Sequence, residues 1–139
     1  MPAERDLIAL LKNVKPQLQP GIFVFCTIAT NEPVPASLNP LLTFREQEGT
    51  TLVVPCEEAE AAGLNPAFPS RLITLTVHSA LDAVGFLAAI TARLAAAGIS
   101  VNAVSAFHHD HLFVPDDRAD EAMALLRDMS GPDSSQAVS

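Results

Sequence analysis

Residues 71–115 read RLITLTVHSALDAVGFLAAITARLAAAGISVNAVSAFHHDHLFVP, and the spacing of their apolar side chains changes along the chain. Residues 72–78 alternate between two faces and are rich in β-branched types, which is typical of a strand. After a short loop, Asp82 is suited to cap the N-terminus of a helix. Over residues 83–97 apolar side chains recur at helical spacing among alanines, which favour helix strongly. Gly98 is a suitable residue to end that helix.

The rest of this stretch consists of extended segments followed by a second helix. Residues 99–107 are extended, residues 108–110 form a turn, and residues 112–114 form a further strand. Asp116 begins the second helix. The order of elements is therefore β-α-β-β-α. The helical crossover predicts that the first two strands are parallel, and neighbours or near neighbours in one sheet.

Two short motifs in this stretch resemble the ACT domain family. DAVGFL at 82–87 resembles that family's Asp-x-Pro-Gly motif with its apolar helix, and GISV at 98–101 resembles its Gly-Ile-Asn-Ile strand. The chain departs from the pattern at Val84, where the family usually has proline, and at Ser100, where it often has asparagine. With HSALDAVG and HDHLFVP, the whole chain is more closely similar to a group of small stand-alone bacterial proteins. These are built of two ACT-like units, and their function is not established.

The chain upstream of this stretch contains elements that suit such a pair of units. An amphipathic helix is predicted at 4–14, and prolines with Gly21 end it and turn the chain. Residues 22–28 are apolar on both faces, which predicts a central strand covered on both sides. A long proline-rich loop follows, and then a hairpin formed by 43–47 and 51–55, and a short acidic helix at 57–62.

An internal repeat appears when the chain is shifted by 60 residues. LVVP at 52–55 aligns with LFVP at 112–115, and an acidic helix start follows the proline in both copies. Residues 21–28 would then correspond to residues 98–107, so the first copy would lack an opening strand of its own. A strand within residues 72–77 could serve both sheets.

The predicted fold class is therefore α+β, with two tandem ferredoxin-like units of the ACT type (βαββαβ) and antiparallel sheets. The N-terminal unit, residues 1–68, is expected to be truncated, and the C-terminal unit spans residues 69–131. Residues 132–139 are small and polar, which predicts a disordered tail.

Composition excludes several classes of partner. The net charge of −8 argues against nucleic acid and anionic membranes, because both require a basic surface. No signal peptide or membrane-spanning run is visible, so a cytoplasmic location is expected. Cys26 and Cys56 lie in unrelated contexts and indicate neither a disulfide framework nor a zinc motif. No cofactor is predicted.

The sequence contains one concentrated cluster of polar groups, His108-His109-Asp110-His111, with His78 further upstream. Histidine and carboxylate together suit zinc or nickel, which leaves a metal-dependent sensor as one alternative. The other interpretation is a hairpin turn with solvated imidazoles. It is favoured because adjacent residues of a strand point to opposite sides. No nucleophile-elbow, nucleotide-binding or zinc-protease motif occurs, so the chain is predicted not to be an enzyme and no metal site is assigned.

The loop that joins the strand to the helix N-terminus is the preferred candidate site, because free N–H groups there favour a carboxylate. The resemblance implies that this loop binds an amino acid in an interface between two units. Asp82 would face the amino group, the N–H groups near Val84 and Gly85 the carboxylate, and the next strand would contribute Ser100 and Asn102. The predicted ligand-binding residues are Ser79, Asp82, Ala83, Val84, Gly85, Ser100 and Asn102. The predicted function is a regulatory module for a small metabolite that forms a homo-oligomer, a dimer. A dimerisation protein without a ligand is the other alternative.

Overall fold

The structure, a computed structural model, describes residues 3–131 and divides them into two compact units. The smaller unit comprises residues 20–71, and the larger unit comprises residues 3–19 together with residues 72–131. This division differs from the predicted boundary after residue 68, because the first segment of the chain packs with the second half. The predicted tail at 132–139 lies outside the described residues.

The helices and strands follow each other in the order of two tandem ferredoxin-like units, except that the first unit has no helix between its first two strands. Along the chain they are α1 (Leu7–Asn13), β1 (Pro16–Leu18), β2 (Phe23–Ile28), β3 (Leu42–Arg45), β4 (Thr50–Pro55), α2 (Cys56–Ala61), β5 (Ala67–Leu75), α3 (Phe86–Ala96), β6 (Asn102–Ser105), β7 (Asp110–Pro115), a 3-10 turn (Asp116–Arg118) and α4 (Ala119–Met129). No helix among the described residues is long and apolar enough to cross a membrane.

The sheet of the larger unit has the strand order β1-β5-β7-β6. Strand β5 is its first strand in ferredoxin-like order, β6 and β7 are the second and third, and β1 takes the place of the fourth. The first two strands are thus near neighbours, separated by β7. Strand β1 pairs antiparallel with β5, placing Pro16 opposite Leu75 and Leu18 opposite Ile73. The sequence predicted only a turn here, because a segment of three residues that begins with Pro16 is too short to show a strand period.

The sheet of the smaller unit has the equivalent order β5-β2-β4-β3, and β2 is its opening strand. Strand β2 pairs antiparallel with β4 along its whole length, and with the start of β5 at Phe23 and Ser70. The expectation that this unit lacks an opening strand is therefore wrong. What it lacks is a helix between β2 and β3, where residues 29–41 form turns and coil. Pro33, Pro35 and Pro40 explain this, because proline removes a helical donor and clashes with the preceding turn.

The repeat at a separation of 60 residues is present in the two hairpins. Strands β3 and β4 correspond to β6 and β7 without any shift, and β4 and β7 share the same pattern of buried and half-buried positions. The turns also match, because Glu46 N–H donates to the Gly49 carbonyl at 2.9 Å and Ala106 N–H donates to the His109 carbonyl at 3.0 Å. The predicted match of residues 21–28 with residues 98–107 is wrong, since β3 takes that place.

Each unit has its own hydrophobic core. In the larger unit, α3 buries Phe86, Ile90 and Leu94, which confirms the helical face predicted from the sequence. In the smaller unit, β2 buries Val24, Cys26 and Ile28, while the residues of its opposite face are half-buried or exposed. That strand is central, as predicted, but within its unit only one face is fully covered.

Candidate functional site

The loop between β5 and α3 differs from its predicted form at the helix start. Helix α3 begins at Phe86, and its N-cap residue is Gly85, with φ of 91° and no side-chain hydrogen bond to the first turn. The prediction that Asp82 caps a helix beginning at Ala83 is therefore wrong. A positive φ is accessible to glycine and costly for other residues, so Gly85 sets where the helix can begin.

Asp82 instead forms an ion pair within the larger unit. Its Oδ1 accepts a hydrogen bond from Arg5 Nε at 3.0 Å, and the side chains are 71% and 66% exposed respectively. Val84 is more exposed still, so the tip of the loop projects into solvent with both charged and apolar groups. Sequence reasoning missed Arg5, because nothing local links it to a residue 77 positions away.

The residues before α1 hold the start of this loop in place. Glu4 N–H donates to the His78 carbonyl, and Ala80 N–H donates to the Glu4 carbonyl, both at 2.8 Å. These two hydrogen bonds form a short parallel bridge between Glu4 and Ser79. Beside it lies an open depression of about 500 Å³, lined by Ala3, Arg5, His78, Ser79, Ala80, Leu81, Asp82 and Phe107. The ion pair thus stands at a concave surface large enough for a small metabolite.

A second, smaller cavity lies under the same loop and contains a buried carboxylate. Asp110 is 6% exposed, and its two oxygens accept hydrogen bonds from Ser79 Oγ at 3.2 Å and Ser105 Oγ at 2.5 Å. The cavity has a volume of about 50 Å³, and Phe86 and Leu87 line it on the side of the helix. The loop, the β6–β7 hairpin and α3 therefore meet at Asp110. The sequence assigned Asp110 to a turn, whereas it is the first residue of β7.

The structure brings together only some of the predicted site residues. Ser79 and Asp82 line the depression, and Ser79 and Ala83 line the smaller cavity. Ser100 and Asn102 are exposed, and neither lines the cavity or the depression. Ser105, three residues beyond Asn102 on β6, faces the loop instead.

The histidines surround the hairpin turn at different depths. The ring centroids of His78 and His108 are 5.7 Å apart, and those of His109 and His111 are 6.4 Å apart. Across residues 3–131, no group of three or more His, Cys, Asp or Glu side chains has an arrangement that could hold a metal ion.

His111 has a defined polar partner, since its Nδ1 lies 3.0 Å from Thr74 Oγ1. Burial lowers the pKa of His111 below its usual value, the neighbouring His109 acts in the same direction, and Asp110 opposes both. The folded state therefore favours the neutral imidazole.

Comparison with known proteins agrees with this architecture. Two family profiles, both describing the ACT domain, match residues 2–71 and residues 67–128. A Vibrio cholerae protein of unknown function, named as a possible transport protein, is 42% identical with a TM-score of 0.79. That alignment covers 89% of this chain and 95% of the other. No match was found among curated protein sequences.

More distant structures share the fold alone. A protein from Agrobacterium tumefaciens is 19% identical with a TM-score of 0.73, over 84% of this chain and 89% of its own. The regulatory subunit of aspartate kinase from Thermus flavus is 10% identical with a TM-score of 0.59, over 82% of this chain and 95% of its own. With two ACT profiles in tandem and a close structural relative over nearly its full length, the chain belongs to the ACT domain family.

Proposed function

We propose that this protein is a non-catalytic regulatory module that binds an amino acid in the depression beside the β5–α3 loop. The observation that carries the proposal is the Arg5–Asp82 pair at that depression. A free amino acid carries a carboxylate and an ammonium group on one carbon. A guanidinium and a carboxylate held side by side offer the complementary charges.

Two features of the ion pair support this assignment. The contact with Asp82 uses Arg5 Nε, and among residues 3–131 no other side-chain partner of that guanidinium is found, so its Nη groups can bind a ligand carboxylate. Asp82 Oδ2 remains an acceptor for an ammonium group.

A regulatory rather than catalytic role is supported by the fold and by the character of these groups. The regulatory subunit of aspartate kinase from Thermus flavus shares the fold. At 10% sequence identity, that likeness does not extend to a ligand or a partner. The Ser79 hydroxyl at the depression donates to the buried Asp110 carboxylate, and among the described residues it is not paired with an imidazole that could activate it as a nucleophile.

Calorimetric titration of the twenty amino acids into the wild-type protein and Asp82→Ala tests the proposal. We expect at least one amino acid to bind wild type. Its affinity for Asp82→Ala should be roughly tenfold to hundredfold lower, the value of a hydrogen bond to a charged group. Asp128→Asn is the matched control, since it removes a carboxylate on α4 far along the chain from the loop. If no amino acid saturates the wild-type protein, the proposal fails and the ligand-free dimerisation role becomes the better one.

We also expect a homodimer, formed through the edge of the smaller unit's sheet. Strand β3 is the outer strand of that sheet, and Phe44 on it is 63% exposed. An edge strand with exposed apolar side chains favours pairing with another copy. Sedimentation velocity should show a dimer for wild type and for Ile8→Ser, whose side chain is also exposed, but a monomer for Phe44→Ser. A monomeric wild-type protein would contradict this.

A further inference from the structure

The buried carboxylate of Asp110 has a charge that its partners do not balance. Its hydrogen bonds come from two neutral hydroxyls, those of Ser79 and Ser105, and among the described residues no cationic side chain pairs with it. Removing a carboxylate from water is costly unless an opposite charge or several hydrogen bonds compensate. A carboxylate has about four acceptor sites, so two hydroxyls leave about half of its capacity for another donor.

The hairpin itself does not require a carboxylate at this position. In the smaller unit, the equivalent residue 60 positions earlier is Thr50, which is also buried and also begins its strand. The two turns close with the same hydrogen bond, from Glu46 to Gly49 and from Ala106 to His109. A neutral side chain therefore suffices for the fold of this hairpin, and the charge of Asp110 needs a different explanation.

The cavity beside Asp110 has the size and lining of a site for a small cation. A single water needs about 10–15 Å³ of such space, so a cavity of about 50 Å³ can hold a group of two or three heavy atoms. Its polar lining comes from Ser79, Ser105 and Asp110, and its apolar lining from Phe86 and Leu87. A primary ammonium group on a short carbon chain matches both the polar and the apolar lining. Its N–H groups would donate to the oxygen atoms, and its methylene group would contact Phe86 and Leu87 of α3.

We propose that this cavity is a binding subsite for a primary ammonium group, with Asp110 as its counter-charge and Ser79 and Ser105 as the groups that orient the carboxylate. The subsite deepens the proposed function and rests on it for the identity of the complete ligand, since residues 79–81 line both the cavity and the depression. The ammonium group is either the α-amino group of the amino acid, which then lies at Asp110 and not at Asp82, or that of a separate amine.

Titration of methylammonium chloride, followed in amide nitrogen–proton NMR spectra at constant ionic strength, tests the subsite. We expect saturable shifts at the amides of Ser79, Ser105 and Asp110 in the wild-type protein. In Asp110→Asn, which keeps the shape and the acceptor, affinity should fall at least about tenfold. Asp128→Asn removes the same charge elsewhere and should retain wild-type affinity.

Two further salts distinguish the ammonium group from other cations. Tetramethylammonium chloride, which has no N–H donor and is too large for the cavity, should leave these amides unchanged. If sodium chloride gives the same saturable shifts as methylammonium, the site takes a metal ion and the proposal is overturned. It is also overturned if methylammonium binds Asp110→Asn as well as it binds wild type. Should Asp110→Asn not fold, Asp110→Thr replaces it, because Thr50 shows that threonine fits this position.

Glycine identifies the source of the amine and separates this inference from the proposed function. If the α-amino group occupies the subsite, glycine should displace methylammonium and N-acetylglycine should not. If neither compound displaces methylammonium, the subsite is occupied by a separate amine. Amino-acid binding that is equal in wild type and Asp110→Asn, while methylammonium binding is weakened by the substitution, would leave the proposed function standing and assign the subsite to a separate amine. Methylammonium binding at Asp110 without binding of any amino acid would support the subsite and overturn the proposed function.

Discussion

Replacing Asp6 by alanine should destabilise the protein more than the same replacement at Asp82, although both residues precede a helix. Asp6 is the true N-cap of α1, where its Oδ2 accepts a hydrogen bond from Ala9 N–H at 3.0 Å. Removing such a cap costs about 1 kcal/mol, within a range of roughly 0.5–2 kcal/mol. Asp82 caps nothing, and its contribution is limited to the ion pair with Arg5.

The magnitude for Asp82 follows from the exposure of that pair. Two unit charges 3.0 Å apart attract by about 1.4 kcal/mol at the dielectric constant of water. Both side chains are about two-thirds exposed, so salt screening and the loss of side-chain freedom reduce this further. We therefore expect Asp82→Ala to lower the free energy of unfolding by no more than about 0.5 kcal/mol.

Equilibrium unfolding in urea is the appropriate assay, because urea is uncharged and leaves the ion pair unscreened. Wild type, Asp6→Ala, Asp82→Ala, Arg5→Ala and the double variant at 5 and 82 would be compared at low ionic strength. The coupling energy between Arg5 and Asp82 should be below about 0.5 kcal/mol. A loss of about 1 kcal/mol or more for Asp82→Ala, not reproduced by Arg5→Ala, would refute the reasoning. It would indicate that Asp82 caps α3 after all.

Two further predictions concern the core and the effect of pH. Ile90→Ala should lower the free energy of unfolding by roughly 2–5 kcal/mol, because Ile90 is completely buried. Ile8→Ala, at a position 76% exposed, should change it by no more than about 0.5 kcal/mol. Equal losses for the two variants in urea unfolding would contradict this prediction. Folding lowers the pKa of His111, so the unfolded chain takes up a proton at this residue before the folded chain does. The contribution of His111 to stability should therefore be constant above pH 6.5, the usual pKa of histidine, and should fall as the pH drops below it. His111→Gln should flatten that slope, and an NMR titration showing a raised pKa for His111 would contradict the sign.

The amino-acid sequence alone was sufficient to identify the elements whose signals are local. The helical spacing of Phe86, Ile90 and Leu94 predicted the buried face of α3, and the repeated LVVP and LFVP segments predicted that two hairpins are equivalent. Each of these signals lies within one turn of helix or a few residues of strand, and tertiary packing reinforces it. The ACT motifs at 82–87 and 98–101 likewise lie within short segments, which is why the family was recognisable.

Only the tertiary structure decided which distant residues meet. The three residues of β1 have no strand period of their own, and they form a strand because β5 offers a pairing edge 57 residues away along the chain. Gly85, rather than Asp82, sets the start of α3, because the loop is already fixed by the bridge to Glu4 and needs a positive φ to enter the helix.

The candidate site shows the same limit. Ser79, Ser105 and Asp110 are separated by up to 31 residues, and their contact depends on a loop, a hairpin and a helix packing together. A sequence pattern reports the period of one element at a time, so it identified Ser79 but placed Asp110 in a solvated turn. The burial of that carboxylate is a property of the assembled unit, because water is excluded only where the loop, the hairpin and the helix pack together.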